Sequence, residues 1–155
     1  MAELSVGMKA PDFSLSRDGG GTVSLADFAG KAVVLYFYPK DDTSGCTAEA
    51  IAFSGLLPDF EAAGAVIIGM SPDPVKSHDR FVKKHGLSLI LASDPETGVL
   101  DAYGVWKEKS MYGRTYMGVE RTTVLIGPDG TIRKIWPKVK VAGHAEEVLE
   151  AVRAS

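Results

Sequence analysis

The sequence predicts an α/β fold: a central mixed β-sheet flanked by helices, with a β-hairpin extension at the N-terminus. Three observations predict it. Residues 32–38 and 65–70 are continuous apolar runs rich in β-formers, the pattern of strands buried on both faces. Helical stretches alternate with these runs. A hairpin signal and a last helix close the chain.

Taken in order, residues 11–15 and 22–25 flank Gly19-Gly20-Gly21 and read as the hairpin. Pro39 stops the first buried strand. A helix is expected over 45–63, with a kink or break at Pro58, because proline removes an internal donor and clashes with the preceding turn. After the second buried strand, residues 74–85 place Val75, His78, Phe81 and Val82 at helical spacing. Residues 87–91 suggest a third strand and 96–103 a short helix. Gly127-Pro128-Asp129-Gly130 joins strands expected over 122–126 and 131–136. Residues 145–152 form the last helix. The whole chain, 1–155, is expected to be one domain, a length that buries roughly 70% of the unfolded surface.

Composition narrows the function. A net charge of −3 gives no reason to expect nucleic acid or an anionic membrane as partner. No apolar run is long enough to cross a bilayer. The N-terminus lacks a signal peptide's basic start and apolar core, so cytoplasm is the expected location. The basic clusters at 83–84 and 133–140 read as solvated faces. A single cysteine, Cys46, excludes an internal disulfide, a C-x-x-C pair and a cysteine-rich zinc site.

Cys46 follows a polar loop after a buried strand and sits in the first turn of a helix. Unpaired N–H groups and the positive end of the helix dipole favour an anion there. An ordinary thiol of pKa ~8.5 is only about 3% ionised at pH 7, and lowering it to ~6 gives about 90%. Ionisation alone is therefore a modest catalyst. Donors aimed at charge developing on a breaking bond are worth about 10²–10³-fold each, so they must supply more.

Pro39-x-x-x-Thr43-x-x-Cys46 resembles the active-site signature of peroxiredoxins. The string from Val34 to Thr47, and the later blocks Tyr103–Lys109, Met111–Tyr116 and Arg121–Ile126, are similar to the bacterioferritin comigratory protein (peroxiredoxin Q) branch. The similarity covers nearly the whole chain. It implies a thioredoxin-like fold and a thiol-dependent peroxidase acting on hydrogen peroxide and organic hydroperoxides. Cys46 would be the nucleophile, oxidised to sulfenic acid. Thr43 would hold the peroxide, Pro39 would shield the pocket from water, and Arg121 would stabilise thiolate and transition state. The Cys46 N–H would add a hydrogen bond. Glu49 would orient Arg121, or would be only a first-turn carboxylate favoured by the helix dipole. Sulfur performs both redox steps, so no metal, flavin or haem cofactor is implied. The resemblance favours a monomer, a weak homodimer being the alternative.

The chain departs from that branch at two positions. Many members carry a resolving cysteine where this chain has Ile51, and proline where it has Ser44. Oxidised Cys46 must then be reduced from outside, by thioredoxin, glutaredoxin or a low-molecular-weight thiol, or by Cys46 of another molecule. A peroxide sensor with little turnover is the alternative function. A glutathione-peroxidase-type site fails because the chain has no Gln or Asn. A thiol-disulfide oxidoreductase would need a cysteine where Thr43 stands. A cysteine hydrolase would need a histidine near Cys46, but His78, His85 and His144 are distant in sequence. His78 and His85 lie too far apart along a helix to share a metal ion. His144 reads as a surface residue. Trp106, Tyr112, Tyr116 and Met117 either line a groove or pack the domain, packing being the commoner outcome.

Overall fold

The protein is described by a computed structural model covering residues 4–155. Its elements are β1 (Ser14–Arg17), β2 (Thr22–Ser24), β3 (Ala32–Phe37), α1 (Ser44–Ala62), β4 (Ala65–Ser71), α2 (Val75–His85), β5 (Ile90–Ser93), α3 (Gly98–Ala102), β6 (Trp106–Met111), β7 (Arg114–Val119), β8 (Thr122–Ile126), β9 (Ile132–Trp136) and α4 (His144–Ala154). Seven strands form one mixed sheet in the order β2-β1-β5-β4-β3-β8-β9.

Every residue of β3 is buried. Alternate side chains enter two cores, as the period of a strand requires. Val34 and Tyr36 pack with Phe53 and Phe60 of α1, Phe81 of α2 and Val148 of α4. Val33, Leu35 and Phe37 pack with Phe13, Leu100 and Tyr103 on the opposite face. The sheet is thus covered on both sides, which is why its central strands lack polar alternation. Gly69 of β4 lies opposite Tyr36 in the ladder. A Cβ there would come within 2.7 Å of the Tyr36 ring, so only glycine lets that ring lie across the strand.

The structure differs from the sequence reading at several points. α1 is one helical span through Pro58, so the expected alternative of two separate helices is not what forms. Proline in a helix interior costs about 3 kcal/mol, but Phe53 and Phe60 on either side of it are both fully buried. Burying two such rings offsets a cost of that size. β5 begins at Ile90, because Leu87 and Leu89 are buried in the connection from α2 before pairing with β4 starts. β6 and β7 form a separate two-stranded sheet, turned by Tyr112 (φ 53°) and Gly113 (φ 75°). Two left-handed residues match the twist of a tight hairpin. Tyr112, Tyr116 and Met117 of this hairpin are exposed, so the expectation that they pack the domain is corrected. His144 is buried, not a surface residue. Its Nε2 lies 2.8 Å from the Thr123 hydroxyl, and it meets Phe53 and Trp136 edge-on.

Candidate active site

β3 runs parallel to β4 and antiparallel to β8, with Phe37 opposite Thr122. That register puts Arg121, one residue before Thr122, beside the point where β3 gives way to the loop of residues 38–43. The loop leads into α1, whose N-cap is Thr43. Ser44, Gly45 and Cys46 therefore occupy the first turn, where backbone N–H groups have no partner within the helix. A crevice at the carboxyl end of parallel strands is where open α/β sheets bind ligands.

Cys46 is a free thiol and 1% exposed. Its distinguishing neighbour is a cation: Arg121 Nη2 donates to Cys46 Sγ at 3.3 Å. Nη1 of the same guanidinium donates to Glu49 Oε1 at 2.7 Å. Arg121 is held above the usual arginine range: burial lowers it, but the charges of Cys46 and Glu49 outweigh that. One planar fork thus serves two acceptors on one helix face, which an ammonium cannot do with fixed geometry. Gly45 makes room for it, since a Cβ there would stand 3.2 Å from Arg121 Nη2. Nothing in the sequence reading assigned Gly45 a role. Its place immediately before the cysteine was the only signal. Gly45→Ala is expected to displace the guanidinium and slow the reaction with peroxide by about 10-fold, read by stopped-flow; an unchanged rate rejects that reading.

Glu49 is almost fully buried, and its Oε2 has no hydrogen-bond partner. Burial pushes its carboxyl up to about 7 from 4.5, against the opposing pull of Arg121. The folded state therefore holds a proton that the unfolded state has released. Stability from this group is complete below about pH 4.5 and is lost as pH rises through about 7. Glu49→Gln should remove this slope, so that from about pH 5 to about pH 8 the variant gains on the wild type by on the order of 1–3 kcal/mol. Urea titrations at the two pH values measure it, and parallel profiles would contradict it.

Thr43 is exposed, and its hydroxyl donates to the Lys40 carbonyl at 2.9 Å. With its proton committed, Thr43 Oγ1 is left as an acceptor. Pro39 is half-buried between β3 and the loop. The structure brings Cys46, Arg121 and Glu49 into one hydrogen-bonded chain; Thr43 and Pro39 flank it on the loop. Trp106 and Met117 line a groove with Glu120 and Thr122, the neighbours of Arg121. Ile51 is exposed on α1. His78 and His85 take different partners, Asp41 and Asp42. Among the described residues, Asp41, Asp73 and His78 are the one group that gathers metal-type ligand atoms, but Asp41 and His78 are bonded to each other. No helix among the described residues is long and apolar enough to cross a membrane.

A mixed sheet with a cysteine in the first turn of a helix, faced by a guanidinium, defines a thiol-based redox protein. Residues 6–135 match the AhpC/TSA family. The chain is 50% identical over 143 residues to peroxiredoxin Bcp of Xanthomonas campestris pv. campestris, covering 92% of this chain and 89% of that protein. Identity to peroxiredoxin Bcp of Bacillus subtilis is 47% over 150 residues, covering 97% and 96%. The X. campestris bacterioferritin comigratory protein, in a trapped intermediate/ligand complex bearing on its alkyl peroxide reduction activity, superposes with a TM-score of 0.91 at 46% identity, covering 97% and 98%. The chain belongs to the AhpC/TSA family, in its bacterioferritin comigratory (Bcp, peroxiredoxin Q) branch of thiol-dependent peroxidases. Its fold is the thioredoxin-like peroxiredoxin fold.

Proposed function

We propose that this peroxidase reduces hydrogen peroxide and small organic hydroperoxides by a one-cysteine cycle at Cys46. The observation that carries the reading is the 3.3 Å contact of Arg121 Nη2 with the sulfur of the chain's only cysteine. The Cys46 thiolate attacks the terminal peroxide oxygen. An S–O bond forms, the O–O bond breaks, and the departing alkoxide or hydroxide takes a proton from solvent. Cys46 is oxidised to sulfenic acid while the peroxide becomes an alcohol or water. Thr43 Oγ1 accepts a hydrogen bond from the peroxide, and Arg121 and the Cys46 N–H stabilise charge as the O–O bond lengthens. Pro39 limits water at the sulfur, and Glu49 orients Arg121. The groove past Trp106 and Met117 suits the apolar tail of an organic hydroperoxide.

Regeneration uses two external thiols. The first displaces water from the sulfenic acid to give a mixed disulfide, and the second releases Cys46 as thiol. Thioredoxin, glutaredoxin and small thiols all supply this chemistry, and a cytoplasmic setting keeps them reduced. The working unit is a monomer, with a weak homodimer as the competing outcome of a sedimentation run. Because Cys46 is 1% exposed, the reductant needs local opening of the first turn of α1. That burial is the one observation favouring a slow-cycling sensor instead.

The experiment is peroxide consumption under excess dithiothreitol, glutathione with glutaredoxin, or thioredoxin. Sustained turnover with any of them supports the cycle, whereas a stall after one equivalent with all three supports the sensor. Without reductant, intact mass after titrated peroxide is expected to show one added oxygen, then a second as sulfinic acid forms. Loss of two hydrogens from a monomer would contradict a lone redox sulfur.

A further inference from the structure

We propose that His78 is a positioning residue for the peroxidase step, holding the active-site loop in its reacting geometry from α2 through the buried carboxylate of Asp41. The proposal rests on the reading of Cys46 as nucleophile. His78 and Asp41 are 0% and 3% exposed, and His78 Nδ1 lies 2.7 Å from Asp41 Oδ2. Asp41 stands five residues before Cys46 in the loop that sets the start of α1. The Tyr38 hydroxyl donates to its Oδ1 at 2.6 Å, and the Ser77 hydroxyl donates to its Oδ2 at 2.8 Å. Its backbone N–H donates to Asp73 Oδ2 at 2.8 Å. The next loop residue, Asp42, takes a left-handed φ of 61° and is held by Lys84 and His85 at the other end of α2. The side chains of Asp41 and Asp42 thus find partners on α2.

Of the α2 side chains that hold the loop, His78 is the one that also bonds to the sheet among the described residues, its Nε2 lying 3.0 Å from the Ala92 carbonyl of β5. A carbonyl has no proton to give, so Nε2 carries one. Between Nδ1 and the Asp41 carboxylate a second proton must sit, and the imidazole, ordinarily the stronger base, owns it. The charged and titratable groups facing the ring are Asp41 from the loop, Tyr38 from the end of β3 and Asp73 from the turn before α2. Burial lowers the His78 pKa, but the Asp41 hydrogen bond and charge outweigh this and raise it. Removing that proton at high pH would set a bare nitrogen against a carboxylate and release the loop.

A core histidine that is merely satisfied would stabilise the fold without favouring either ring nitrogen. Asparagine can reproduce the Nδ1 donor, and glutamine the Nε2 donor. His78→Asn should form sulfenate at Cys46 within about 3-fold of the wild-type rate, whereas His78→Gln should be slower by about 10-fold or more. Both are read by stopped-flow with hydrogen peroxide. In wild type and in Cys46→Ser, nitrogen NMR of labelled histidine should show both His78 ring nitrogens protonated at neutral pH. Equal rate changes in the two variants, or an unprotonated Nδ1, would overturn the proposal. The NMR result holds whether or not Cys46 is the nucleophile, so failure of one reading is distinguishable from failure of the other.

Discussion

Cys46→Ser is expected to reduce peroxide consumption to the uncatalysed rate while leaving the fold intact. Serine places a hydroxyl close to where the sulfur sits, and Arg121 Nη2, now 3.3 Å from that sulfur, still has an acceptor. The site is 1% exposed, and a hydrogen-bonded hydroxyl there carries little penalty. The chemistry is lost for two reasons. A hydroxyl is essentially un-ionised at neutral pH without a base to take its proton, and oxygen cannot accept a peroxide oxygen as sulfur does. Steady-state peroxide loss with excess dithiothreitol measures it. Retained turnover would place the reaction elsewhere.

Arg121→Ala should cost about 10²–10³-fold in the second-order rate with peroxide, the usual consequence of deleting one preorganised donor. The substitution also abandons Glu49, whose Oε1 accepts from Arg121 at 2.7 Å and whose Oε2 is already without a partner. A buried carboxylate left alone takes up a proton instead of remaining charged. The stability loss should therefore be large near pH 8 and small near pH 5, whereas the rate loss persists at both. Arg121→Lys separates charge from geometry. An ammonium restores the cation but lacks the rigid fork that fixes sulfur and carboxylate in one geometry, so its rate should fall between alanine and wild type. Stopped-flow across the three proteins checks this; a lysine variant as slow as alanine would show that the fork, and not the charge, is what matters.

The sequence made some of this legible and hid the rest for physical reasons. β3 was readable because its six residues are all buried, and a strand covered on both faces leaves an unbroken apolar run. β8 and β9 were readable from the turn that joins them. The β6–β7 hairpin was not, since most of its side chains are exposed and no apolar alternation marks a strand with little core to face. His144 looked superficial at the start of a helix. Its burial depends on Thr123, Phe53 and Trp136, which reach it only through the sheet. Cys46 and the loop before it stood out locally. Arg121, 75 residues away, carried no local signal and entered through family resemblance alone. For Glu49 the local sequence fits two roles equally, and only the register of β8 against β3 brings Arg121 within its reach. The link from His78 to Asp41 spans 37 residues and had no sequence signal beyond a histidine on the inward side of α2.

The most direct test of a thiolate nucleophile at Cys46 is a single-turnover experiment. Reduced protein is mixed with one equivalent of hydrogen peroxide, quenched with a sulfenate-specific carbon nucleophile, and mapped by peptide mass. The account predicts one adduct per chain, on the peptide containing Cys46, forming as fast as peroxide disappears. Peroxide consumed with no adduct at Cys46, or with the oxygen found on methionine instead, would contradict it.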